Sequence, residues 1–244
     1  QESETLMARA AQATAPTRVV VGSKTKQFDE ADIPIVGTAP LLIAHPMPWD
    51  IGGGFWEGYP REIAERKNPA DVLSPIDRSL LQRLGFAVNG KLTAEMNAHL
   101  RGYWLPNLEP AFPASGFMGA CRTAVVQYKG KGKDALTAKK VGGAMQIIGD
   151  DADHSLVAIV GEKSIDVRMG PNSGQTRSPR IITRLKFAAG WKSVLRVRWL
   201  SELLSAQDIL QIVAWAGNWG VGQGRPSSPH AGTNGTWRLA DTTP

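Results

Sequence analysis

Three carboxylates and an imidazole fall within five residues at Asp150-Asp151-Ala152-Asp153-His154. Such a grouping suits a divalent cation or acid-base cleavage of RNA, because both use carboxylates and imidazole. Acidic turns between strands are also ordinary. The four histidines, His45, His99, His154 and His230, form no HExxH-type pairing. A different chemistry is offered by the glycine-rich run Gly217 to Gly224 with Arg225 directly after it. Glycines let the backbone approach a phosphate chain, and the guanidinium adds a charge-assisted contact. The run lacks the GxxxxGKS/T spacing and follows a helical segment instead of a strand, so it is neither nucleotide-binding fingerprint. A glycine helix cap continuing into a tight loop is the competing reading. No GxSxG elbow occurs. The single cysteine, Cys121, has no partner within the chain for a disulfide or a zinc site, and it is expected to pack inside a helix. No catalytic residue, metal or cofactor is assigned from these motifs.

Charge distribution narrows the choice of partner. The 244 residues carry a formal net charge of +6, which favours an anionic partner without naming it. Between Lys129 and Arg198 there are 14 Lys or Arg against 6 Asp or Glu, a surplus of 8, so the remainder sums to −2. A surplus confined to one segment is the footprint of a phosphate-binding surface, although a solvated basic face has the same composition. Eight tryptophans add stacking capacity for bases. Trp199 and Trp215 read as buried, whereas Trp49, Trp56 and Trp219, beside glycines, read as exposed. No run is long enough to span a bilayer, and residues 1–16 have polar and acidic positions where a signal peptide has an apolar core. The expectation is a soluble, cytoplasmic protein without a membrane partner.

The elements that must position these groups follow from periodicity. Residues 1–32 read as an N-terminal arm and 241–244 as a tail, with one domain between them. Ile33 to His45 is apolar and β-branched and contains Pro40, which predicts a strand broken by a bend. Residues 46–110 read as a helical insertion, with helices over Pro75 to Leu84 and Thr93 to Leu100. A small-residue helix follows Phe112-Pro113-Ala114-Ser115, with Ser115 available as its cap, and a capped helix start is an anion site. Lys129-Gly130-Lys131-Gly132-Lys133 predicts a basic loop. Strands are expected at Ala144 to Ile148, Leu156 to Val160 and Ser164 to Met169. A hairpin of Ile181 to Phe187 with Ser193 to Leu200 is expected to turn at Ala188-Ala189-Gly190-Trp191. In its second strand Leu195, Val197 and Trp199 alternate with Arg196 and Arg198, giving one core face and one basic face. The last helix begins at Ser205-Ala206-Gln207-Asp208, and a short strand closes the chain at Gly235 to Ala240.

Three of these segments, in order, resemble the RAMP superfamily of CRISPR systems. Gly37-Thr38-Ala39-Pro40-Leu41-Leu42-Ile43 resembles its opening strand. Phe112-Pro113-Ala114-Ser115-Gly116-Phe117-Met118-Gly119-Ala120-Cys121-Arg122 is similar to its first-helix signature, with Ala114, Gly116 and Met118 departing from the usual residues. Gly220-Val221-Gly222-Gln223-Gly224-Arg225, with Gly232-Thr233-Asn234-Gly235-Thr236-Trp237, resembles its glycine-rich loop. The resemblance implies an α+β, ferredoxin-like antiparallel sheet over residues 33–240, with a projecting β-hairpin thumb within residues 141–190. It also implies that Ser115 and Gly119 seat a nucleic-acid backbone while Gly222, Gly224 and Arg225 line the groove. Copies would then stack into a filament along the strand with other effector-complex subunits.

The reading that joins composition, motif order and resemblance is a non-catalytic subunit that binds single-stranded RNA, such as a guide RNA. Its phosphate contacts would come from Arg122, Lys129, Lys131, Lys133, Arg177, Arg180, Arg184, Arg196, Arg198 and Arg225. Two alternatives stand beside it: a RAMP-type ribonuclease using His45, His154 or Asp150 to Asp153, and a viral structural protein contacting packaged genome.

Overall fold

The computed structural model describes residues 27–45, 73–88, 92–127, 136–170, 180–227 and 232–240. In chain order its elements are β1 (Phe28–Gly37), β2 (Leu41–Ile43), α1 (Pro75–Arg83), α2 (Ala94–Leu100), β3 (Tyr103–Trp104), β4 (Pro110–Pro113), α3 (Ala114–Gln127), α4 (Ala138–Ala144), β5 (Met145–Ile148), β6 (Leu156–Ala158), β7 (Lys163–Gly170), β8 (Arg180–Phe187), β9 (Lys192–Leu200), α5 (Ala206–Ala216) and β10 (Trp237–Leu239). Helices and antiparallel strands are mixed, so the fold is α+β. Two compact units are built from the described parts of 1–41, 104–162 and 187–244, and of 42–103 and 163–186.

The first unit is organised by a four-stranded sheet in the order β10-β1-β9-β5, with every pair antiparallel. Numbered by appearance, its strands run 4-1-3-2, with α3 between the first and second and α5 between the third and fourth. That is the βαββαβ ferredoxin-like arrangement. Strand alternation explains which face is covered. Leu195, Val197 and Trp199 are fully buried, and their cross-strand partners Ile33, Ala31, Ile147 and Met145 share that face. Both α3 and α5 pack against each other, α3 on β5 and α5 on β10. Phe117 of α3 sits between Phe112 and Trp237, each edge-on at 5.6 Å. Cys121 is wholly buried, and that burial pushes its thiol up to about 12. A second sheet in this unit has the order β3-β4-β6.

The expected β8–β9 hairpin does not form. β9 pairs with β1 and β5, whereas β8 lies between β2 and β7 in another sheet. Two of the four residues read as the hairpin turn, Gly190 and Trp191, are held by the end of β1 instead. Gly37 donates to the Trp191 carbonyl at 2.7 Å, and Gly190 donates to the Gly37 carbonyl at 2.8 Å. Trp191 is fully buried, with its ring packed under Gly37 and its indole N–H on the Ala39 carbonyl at 2.9 Å. Burying a tryptophan that can satisfy its one donor outweighs a local turn preference. The bend after β1 falls at Thr38-Ala39-Pro40, between β1 and β2. β1 itself starts at Phe28, within the stretch read as an arm. Helix α4 was not anticipated, because Gly142 and Gly143 lower its propensity.

In the second unit the two anticipated helices form. Ser74 caps α1 by accepting from the Asp77 amide at 3.0 Å, with Pro75 in the first turn, and Thr93 caps α2 by accepting from the Met96 amide at 3.1 Å. Leu73, Leu81, Met96 and Leu100 form its core. A three-stranded sheet, β2-β8-β7, completes it. Trp49 and Trp56 lie outside the described residues, as does the first part of the helical insertion. Among the described residues no helix is long and apolar enough to cross a membrane.

Candidate nucleic-acid interface

Five of the arginines expected to meet phosphate have described side chains, and four are engaged within the protein. The β1–β9 register sets Glu30 opposite Arg198 and Asp32 opposite Arg196. Arg198 donates through Nε and Nη2 to Glu30 Oε2 at 3.1 and 3.0 Å, and Arg196 Nε lies 3.2 Å from Asp32 Oδ1. The polar face of β9 therefore sits beside an acidic strand, and the two charge sets offset each other. Arg184, on β8, is held by Asp166, which also binds Arg168. Burial pushes the Arg184 guanidinium below its ordinary value; Asp166 opposes this, while Arg168 and Arg101 add to it. Arg225 turns back on its own loop, donating to Ser227 Oγ and to the Gly222 carbonyl, both at 2.9 Å.

That glycine-rich loop is a packed connection between α5 and β10. Gly220, Gly222 and Gly224 all have positive φ, a region open to glycine at little cost. Val221 donates to the Gly235 carbonyl and Asn234 to the Gly224 carbonyl, so the two glycine-rich segments lie against each other. Trp219 there is half-buried, as is Trp215, which was read as buried. Lys129, Lys131, Lys133 and Arg177 lie outside the described residues, and Arg180 opens β8 with its side chain also outside them.

Arg122 is different. It is exposed on α3 and makes no hydrogen bond or ion pair among the described residues. Ser115, Gly119 and Arg122 are exposed at spacings of four and three, so they form one stripe along the helix. Ser115 does not cap the helix. α3 begins at Ala114 directly off β4, and the Ala114 amide is taken by the Ser155 carbonyl at 2.8 Å, leaving Ser115 inside the first turn with its hydroxyl unengaged. The glycine at 119 leaves open space where a side chain would stand, and the Arg122 guanidinium lies over the bare backbone of Gly142 in α4.

Ser115 and Arg122, though not Gly119, line a cavity of about 520 Å³ beside the edge strand β5. Its wall is formed by the start of α3, by α4 and β5, by Phe28 and Arg198 at one end of the sheet, and by Asp153 to Ser155. The Gln146 amide, the Ser115 hydroxyl and the Arg122 guanidinium all face this space without an internal partner among the described residues. Hydrogen-bonding groups that converge on a cavity of this size are the ordinary makings of a ligand site.

The acidic cluster divides in two. Asp150 accepts from the Ala158 amide at 2.9 Å, and Asp151 accepts from the Ser155 amide, the Ser155 hydroxyl and the Leu156 amide at 2.6 to 2.7 Å. Slight burial works against ionisation of Asp151, but these hydrogen bonds outweigh it and hold its carboxyl below the usual carboxylate range. Both carboxylates build the β5–β6 turn. Asp153 and His154 line the cavity instead, His154 with a positive φ of 54° and its Nδ1 3.3 Å from the Gly149 carbonyl. Among the described residues no group of three or more His, Cys, Asp or Glu could hold a metal ion. His45 lies against Tyr103 in the second unit, the ring centroids 5.3 Å apart and the planes tilted by 48°.

The sequence matches no known family and no curated protein. Among solved structures the chain is similar to the cryo-EM structure of the type III-B Cmr-beta bound to cognate target RNA, with a TM-score of 0.43 and 11% identity over 98% of this chain and 64% of that one. It is also similar to the crystal structure of Cmr6 from Pyrococcus furiosus, with a TM-score of 0.40 and 12% identity over 87% of this chain and 98% of that one. It spans 64% of the length of the first.

Phe28 and Gln146 are among the cavity residues that the sequence did not point to. Phe28 sat in the stretch read as an arm, and Gln146 in a strand read only for its apolar content. The polar residue between Met145 and Ile147 was the available signal.

Proposed function

We propose that this chain binds single-stranded RNA along the Ser115-Gly119-Arg122 stripe of α3 and across the adjoining cavity. One observation carries the reading: Arg122, unpaired among the described residues, shares a cavity with the unengaged Ser115 hydroxyl and Gln146 amide. A free guanidinium, a small hydroxyl and a helix position without a side chain are what a phosphodiester backbone needs for close approach. The finer reading is a guide-RNA-binding subunit whose copies follow one another along the strand in a CRISPR-type ribonucleoprotein. It is supported by two of the three RAMP-like segments, which lie at the start of the first helix and in the last loop of the βαββαβ core; the segment read as the opening strand, Gly37 to Ile43, holds only the end of β1 and continues through the bend into β2.

Fluorescence anisotropy with labelled 12-mers tests this. Single-stranded RNA should bind more tightly than duplex RNA, with affinity falling steeply as salt rises. Arg122→Ala should weaken binding about tenfold and reduce the salt slope by about one. Affinity that is indifferent to salt, or to strandedness, would overturn the proposal.

A second reading rests on Asp153 and His154, which line the same cavity. If the chain is a ribonuclease, labelled RNA incubated with and without Mg²⁺ will shorten, and His154→Ala will abolish the shortening. Intact RNA recovered after incubation favours the first reading.

A further inference from the structure

Resting on the RNA-binding reading above, we infer that the cavity beside β5 is a nucleobase pocket that selects adenine. Its volume of about 520 Å³ lies in the range of small-ligand sites, about 300 to 1,000 Å³. Sequence-specific recognition of RNA works on bases splayed from single strands. Such bases stack on aromatic rings or guanidinium planes and are read along their hydrogen-bonding edges.

Both requirements are met within one unit. Phe28, 43% exposed, offers an aromatic face at the cavity wall. Arg198 lines the same wall with its guanidinium fixed by two hydrogen bonds to Glu30, so its plane is set before any ligand arrives. This gives the Glu30–Arg198 pair a purpose beyond register: it spends two donors to hold a flat stacking surface. For reading, the unengaged Gln146 amide carries a donor and an acceptor on one group, the combination that pairs with N7 and the 6-amino group of adenine. Asp153, also on the wall, adds an acceptor for an exocyclic amine. Ser115 and Arg122, on α3 at the same cavity, would receive the phosphate of that nucleotide.

The test uses the full chain and four RNAs: U12 and the same 12-mer with a single central A, C or G. The A-containing strand should bind about tenfold more tightly than U12, with the C-containing strand between them and the G-containing strand no better than U12. Gln146→Ala and Phe28→Ala should each bring the A-containing strand down to the affinity of that variant for U12, with thermal melts reporting that the variants are folded. Equal binding of all four strands, or a preference that survives Gln146→Ala, would overturn the pocket and leave RNA binding standing. If none of the four binds, the RNA-binding reading falls first and the pocket with it.

Discussion

At Asp151 one carboxylate accepts three hydrogen bonds that close the β5–β6 turn, and the turn in turn carries Asp153 and His154 to the cavity. Its carboxyl sits below the usual range, so the charged form is favoured more in the folded chain than in the unfolded one. The stability it contributes is fully present above the ordinary carboxylate pKa and is lost as pH falls through its lowered value. Asp151→Asn should cost about 1 kcal/mol at neutral pH, most of the hydrogen bonding being partly solvent-screened. The difference between the two proteins should shrink as the pH drops toward 3. Thermal melts at pH 7 and at pH 3 check both statements. Carboxylate and imidazole chemistry was visible in the sequence here, but hydrogen-bond allegiance was not, because nothing in a run of Asp residues says which oxygen meets which amide.

Among elements, α3 carries the stripe proposed to meet RNA. Gly119 lies on its exposed stripe with open space above it. Replacing glycine by alanine in an exposed helix interior gains about 0.5 to 1 kcal/mol, so Gly119→Ala should raise the melting temperature. If a phosphate chain passes over that bare backbone, the same variant should bind RNA several-fold less tightly. A higher melting temperature with unchanged affinity would place the strand elsewhere. Much at this scale was legible: α1 and α2 from helical spacing over Pro75 to Leu84 and Thr93 to Leu100, α5 from its Ser205 cap, and the core strand β9 from the alternation of Leu195, Val197 and Trp199 with arginines. Pairing was not. The β8–β9 hairpin was inferred from a plausible local turn, whereas Gly190 and Trp191 of that turn answer to Gly37, far away in sequence, and to the burial of Trp191. The basic face of β9 was overread for the same reason, since Glu30 and Asp32 belong to a strand whose register no local pattern reveals.

For the whole molecule, assembly along RNA makes the proposal quantitative. Light scattering of complexes with RNAs of 12, 24 and 48 nucleotides should show protein copies increasing in proportion to length if subunits follow one another on the strand. One copy on every length would reject the filament reading while preserving RNA binding. A mass that persists after nuclease treatment would instead fit a structural scaffold.

The central position of β1 has a further consequence, for how the chain reaches this state. β1 is the first described strand, yet its two neighbours are β9 and β10, and the side-chain pairs that join it to β9 span 164 and 168 residues. Pairings this remote must close a long loop before they return any stabilisation, which slows folding to the millisecond-to-second range typical of nonlocal topologies. During synthesis β1 leaves the ribosome well before β9 and β10, the two strands that flank it in the sheet. Until those strands arrive, the strand that ends inside the sheet has unpaired edges open to association with other chains.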